Sequence, residues 1–145
     1  MASWIDQTAE RLRSDETQKV SGLEEHRLRK ALSPQVFGEL RDWMKENAEE
    51  LNKRVNIQVL AFEVTPISRA KVTRLKVGKP VARLTVEFDE QAQRVRYSCG
   101  AGRGEYLFGV SLSDASVYFQ DVYRRPFTVE EVGAFLFDKL MNSPF

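Results

Sequence analysis

His26 and Cys99 are each the only residue of their kind in the chain, so a thiol–imidazole catalytic pair would have to use both. Their neighbours argue against it. His26 stands among Glu24, Glu25, Arg27 and Arg29, the setting of a solvated helix surface. Cys99 alternates with Val95 and Tyr97 and so takes a core position, where a thiol acts as a small inert hydrophobe. The adjacent carboxylates Glu24-Glu25, Glu49-Glu50 and Glu130-Glu131 fall in segments of helical pattern, where neighbours point about 100° apart and do not converge on one substrate. Glu63, inside an otherwise apolar stretch, is the one acid whose half-buried setting suits acid–base work, and no second acid or histidine is spaced to meet it. An enzyme would otherwise have to draw on Tyr97, Tyr106, Tyr118 and Tyr123 around a curved sheet. No catalytic residue, metal site or cofactor is expected, since one cysteine cannot build a multi-thiolate zinc centre.

Anion chemistry has more material. The cluster Gly100-Ala101-Gly102-Arg103-Gly104 could let backbone N–H groups close on a phosphate. That chemistry needs a helix N-terminus after the loop, and here another strand follows, beginning near Tyr106, so the cluster reads as a flexible hairpin connection. Arg83, Arg94, Arg96 and Arg103 are the anion-binding candidates, because Arg83 with Arg94 or Arg96 would share one face if their strands pair, ready for a carboxylate, a phosphate or a nucleic acid. The competing expectation is cross-strand pairing with Glu87 and Asp89.

The elements that must position these groups follow from periodicity. Residues 1–54 read as two or three helices. Ile5, Ala9 and Leu12 form one stripe, Ser14 to Thr17 interrupts it, and Ser21-Gly22-Leu23-Glu24 offers a capping box. Ser33 as N-cap and Pro34 at the first helical position predict a new helix, along which Val36, Phe37, Leu40, Trp43, Met44, Ala48 and Leu51 keep helical spacing. Residues 55–120 read as a five- or six-stranded antiparallel meander: Val55 to Thr65, Ala70 to Val77, Val81 to Asp89, Gln93 to Cys99, Tyr106 to Leu112 and Ser116 to Gln120. Thr128-Val129-Glu130-Glu131 is a capping box opening a helix over 128–141, whose apolar stripe of Val129, Val132, Leu136 and Leu140 is widened by Phe135, Phe137 and Met141. The fold class is therefore α+β, one domain over 1–145, with the last helix packed on one face of the sheet.

At 145 residues the chain can bury roughly two thirds of its unfolded surface without disulfides or metals. Its apolar runs are too short for a bilayer span, so no membrane partner is expected, and a single cysteine fits a reducing, cytoplasmic setting. The net charge of +1 conceals an uneven distribution. Residues 55–104 carry nine basic and four acidic side chains, and residues 105–145 carry three basic and six acidic. With no convergent catalytic groups, the leading expectation is a non-catalytic binding or assembly module recognising a protein partner or itself as a homodimer, with Phe135, Phe137 and Met141 as interface candidates. Binding of an anionic ligand or nucleic acid to the basic face is the alternative, and a small enzyme with a pocket in the curved sheet is a further one.

Overall fold

The computed structural model describes residues 3–63, 65–100 and 102–143, except for the side chains of residues 16–19. Val64 in the first expected strand, Ala101 in the glycine cluster and the four terminal residues Met1, Ala2, Pro144 and Phe145 lie outside the described residues. The architecture is α+β: a long amino-terminal helix, a seven-stranded antiparallel sheet in sequential order, and a carboxy-terminal helix packed on the sheet.

The first correction concerns the helices, because α1 runs unbroken over Trp4–Val55 and no second helix starts at Ser33. It begins at Ser3, whose Oγ accepts from the Asp6 N–H at 3.3 Å, and ends at Asn56 in the left-handed conformation. Pro34 lies inside it and deprives the Lys30 carbonyl of its usual donor. Tertiary contacts on both sides of Pro34 override the local stop signal. Before it, Leu28 and Leu32 pack on the core and Arg29 Nε donates to the Phe108 carbonyl at 3.0 Å; after it come the buried Val36, Phe37, Leu40, Met44 and Ala48. Val55, expected to open a strand, is instead the last residue of α1, and the first strand begins only at Leu60. Asn52 then clamps the exit: its Oδ1 accepts from the Val59 and Leu60 N–H groups at 2.8 and 3.0 Å, and its Nδ2 donates to the Leu60 carbonyl at 2.8 Å.

The strands are β1 Leu60–Glu63, β2 Arg69–Lys76, β3 Lys79–Asp89, β4 Arg94–Cys99, β5 Gly102–Ser111, β6 Ser116–Gln120 and β7 Pro126–Phe127. The seventh strand exceeds the expected count; two residues are too short for any alternation to be read. The glycine cluster is also corrected. Gly100 lies in the turn after β4, at φ 59°, while Gly102 and Gly104 belong to β5. Gly104 is needed in the strand because a Cβ there would run into the Tyr97 ring on its cross-strand neighbour.

Alternation sets the two faces. Ala70, Val72, Leu84, Val86, Val95, Cys99, Tyr106, Phe108, Val117 and Phe119 turn inward and are buried with the α1 residues above and with Val132, Leu136 and Leu140 of α2, Val129–Met141. The capping box forms as expected: Thr128 Oγ1 accepts from the Glu131 N–H and Glu131 Oε1 accepts from the Thr128 N–H, each at 3.1 Å. Close passage of the two helices depends on Gly133, where a Cβ would run into the Trp43 ring. No helix is long and apolar enough to cross a membrane among the described residues.

Candidate functional site

The outer sheet face carries Arg83, Arg94, Arg96 and Arg103, and the first three each meet an acid on another strand. Arg83 Nη2 lies 3.4 Å from Glu63 Oε1, Arg94 Nη1 3.1 Å from Glu105 Oε1, and Arg96 Nη1 2.7 Å from Asp89 Oδ2. Arg69 likewise meets Glu87 at 2.9 Å. The hydrogen bonds from Ala92 N–H and the Arg96 guanidinium hold the Asp89 carboxyl below its ordinary value. Register separates the guanidinium groups. Glu87 faces Arg96 and Asp89 faces Arg94, so Arg83 sits two outward rows from Arg96, roughly 13 Å along the strands. Arg103 is exposed and has no ion-pair partner among the described residues. Glu63 is likewise engaged, accepting from Thr73 Oγ1 at 3.0 Å as well as from Arg83.

Cys99 is buried in the core and His26 is exposed on α1, so the structure does not bring the thiol and the imidazole together. Among the described residues no group of His, Cys, Asp and Glu is placed to hold a metal ion.

The concave side offers something different: an open cleft of about 700 Å³ between α2, strands β4 and β5 and the connection from β6 to β7. Its floor is aromatic. Tyr97, Tyr106 and Phe135 lie in mutual contact, with ring centroids 5.9, 6.1 and 6.3 Å apart, and Phe127 joins Tyr106 at 5.9 Å. Phe135 is 43% exposed, whereas Phe137 is half-buried against Trp43 and Met141 is half-buried against the core. Of the three interface candidates, only Phe135 is thus open to a ligand. The rim is acidic: Asp121, Glu131 and Asp138 line it with Arg125, Lys139 reaches over the Phe135 ring, and Glu105, which also borders the cleft, turns its carboxylate to the outer face to meet Arg94. Glu131, Phe135 and Asp138 follow i, i+4, i+7 spacing and share the open face of α2.

Asp121 builds the far wall. Its Oδ1 accepts from the Tyr123 and Arg125 N–H groups, each at 2.9 Å, and its Oδ2 from Arg125 Nε at 2.6 Å. Burial by itself would raise the Asp121 carboxyl; the hydrogen bonds from Arg125 and Tyr123 and the Arg125 charge outweigh it and hold the group below its ordinary value. This pinned loop presents Val122 and Tyr123 to solvent at the mouth of the cleft.

The phenols of the floor stay neutral. Burial raises Tyr97 above its ordinary value of 10, and burial, Tyr97 and the Asp121 charge push Tyr106 up to about 12. A phenol whose folded value exceeds its unfolded value contributes stability below the unfolded value and loses it as pH rises through the folded one. Stability therefore falls between pH 10 and about 12 as Tyr106 ionises, and a tyrosinate absorbance titration shows a late-titrating component that Tyr106→Phe removes. Ionisation of every tyrosine near its ordinary value would contradict the buried setting.

Tyr118 is not part of this floor, since its ring lies over Gly109 on the opposite face of the sheet. Phe127 and Asp121 were not singled out from the sequence. The signal that pointed nearest was the acidic excess of residues 105–145, which supplies the rim carboxylates Asp121, Glu131 and Asp138. The chain matches no family model, and it has no significant match among curated proteins or solved structures.

Proposed function

We propose that this chain is a non-catalytic binding module and that the aromatic cleft beside α2 is where it takes its ligand. The observation that carries this reading is the convergence of Tyr97, Tyr106, Phe127 and Phe135 on one open cleft whose volume falls in the range of small-molecule sites. The chemistry of the lining supports binding over catalysis. Among the described residues it contains no serine, cysteine or histidine, Glu105 and Asp121 are held by arginines, and Tyr97 and Tyr106 are neutral donors. The free, buried thiol of Cys99 supports a cytoplasmic setting for this module. Titrating the whole chain with a chemically mixed fragment set and following backbone amide resonances tests the site. Shifts should concentrate on residues 121–138 and weaken in Phe135→Ala. Fragments that bind only elsewhere would remove the cleft from consideration.

Self-association through α1 is a second reading, favoured by a separate observation. No residue of α1 before Ser33 is buried among those whose burial is described, and Trp4, Ile5, Leu12, Val20 and Leu23 are all more than half exposed. Residues 4–27 thus project roughly 35 Å of helix, and Ile5, Leu12 and Leu23 share one stripe. Helices draw most of their stability from packing of such a face. Light scattering on the intact chain decides it. A dimer that Leu12→Glu with Leu23→Glu converts to monomer supports the reading, and a monomeric parent chain rejects it.

A further inference from the structure

We infer that the cleft selects small amphipathic organic cations, an apolar body lying on the Phe135–Tyr106–Tyr97 floor and an ammonium or related head reaching Glu131 and Asp138. The inference rests on the binding reading above and adds the chemical class of the ligand. Three observations carry it. The first is charge: Asp121, Glu131 and Asp138 line the cleft with Arg125, and Lys139 lies over Phe135, in a chain whose net charge is +1. Glu105 and Asp121 are committed to Arg94 and Arg125. Asp138, in contrast, has no side-chain partner among the described residues, and Glu131 uses one oxygen for the capping box. The uncommitted negative charge thus lies on the open face of α2, on either side of Phe135.

The second observation is that the fold already places cations on rings at the floor and the mouth of this cleft. Lys139 Nζ lies 5.0 Å from the centroid of Phe135, and the Arg125 guanidinium carbon lies 5.5 Å from that of Tyr123. Both distances are inside the range where the negative face of an aromatic ring attracts a positive charge. The third is shape. The floor rings touch one another, so no gap between them admits an ammonium group on its own. A ligand lies across the rings instead, which calls for an apolar body as well as a charge. An anion would meet Glu131 and Asp138 at the same place and be repelled.

Three probes sharing one body separate charge from apolar contact: 2-phenylethylamine as its ammonium, 2-phenylethanol, and phenylacetate, each titrated into the intact chain at neutral pH and constant ionic strength. Amide shifts over residues 121–138 should report the ammonium binding about tenfold more tightly than the alcohol, the sum expected of one aromatic contact and one or two exposed ion pairs. Phenylacetate should bind most weakly. Asp138→Asn combined with Glu131→Gln, which keeps the capping box, should weaken the ammonium by about tenfold and the alcohol far less, so that the two bind alike. Equal binding of the ammonium and the alcohol, or tightest binding of phenylacetate, overturns the inference and leaves the cleft as a neutral binding site. No shift over residues 121–138 with any probe overturns the inference and the binding reading together.

Discussion

Phe108→Ala is expected to lower the stability of the chain by about 3–5 kcal/mol, the range for truncating a fully buried aromatic ring. Phe108 is 2% exposed and sits in a continuous run of rings. Phe37 of α1 stacks on Phe88 at 5.5 Å, Phe88 meets Phe108 edge-on at 5.7 Å, and Phe108 leans on Phe119 at 5.4 Å. Truncation opens a cavity between helix and sheet that the neighbouring strands cannot collapse to fill. The hydrogen bond from Arg29 reaches the Phe108 backbone carbonyl and survives, so the loss reports packing. Thermal unfolding should shift down by roughly 10 °C. Ile67→Ala, at a residue 80% exposed, serves as the control and should change stability by no more than about 0.5 kcal/mol. Similar small effects at both positions would contradict the packing of α1 on the concave face.

Pro34→Ala is expected to act in the opposite direction. Proline in a helix interior costs about 3 kcal/mol relative to alanine, and the alanine chain gives back up to about 1 kcal/mol through its freer unfolded state. A net gain of about 2 kcal/mol follows, seen as a rise of roughly 4–8 °C in the unfolding temperature. Pro34 is exposed, so no packing is lost, and the new N–H can reach the Lys30 carbonyl. The sign carries the information. In a chain that started a new helix at Ser33, Pro34 would occupy a favoured first position and alanine would bring no gain. An unchanged or lower unfolding temperature would therefore contradict the continuous α1.

That residue also shows where local reading reaches its end. Ser33-Pro34 is a sound helix-start signal by itself, and it yields because Leu28, Arg29 and Leu32 are held to the sheet from the other side. The central strands were legible because one face is buried and the other is wet: in β3, Leu84 and Val86 are buried while Arg83 and Glu87 are exposed. The capping box at Thr128 was legible because it is a contact between near neighbours in sequence. The cleft was not. Its floor joins Tyr97, Tyr106, Phe127 and Phe135 from four elements, and alternation alone showed only Tyr97 in line with Val95 and Cys99. Phe127 belongs to a strand of two residues whose pairing with Phe119 only the folded sheet reveals. The arginines were legible as one outward set, but their partners depend on register, which pairs Glu87 with Arg69 and leaves Asp89 for Arg96.

The uneven charge takes on structural meaning in this arrangement. The basic middle of the chain covers the outer sheet face, and cross-strand acids answer most of its arginines there. The acidic end is gathered around an open aromatic floor, where Asp138 is uncommitted and Glu131 keeps one oxygen free of its capping box. An exposed Phe135 between Glu131 and Asp138 is what the over-wide apolar stripe of the last helix becomes once Val132, Leu136 and Leu140 are inside.

The most direct measurement is a crystal structure of the intact chain soaked with the same mixed fragment set. Density for a fragment lying across Phe135, Tyr106 and Phe127, with the loop at Asp121 holding Tyr123 at the mouth, is the predicted result. A cleft closed by Phe135 and Tyr123 folded onto the floor, with fragments bound only elsewhere, would contradict the account.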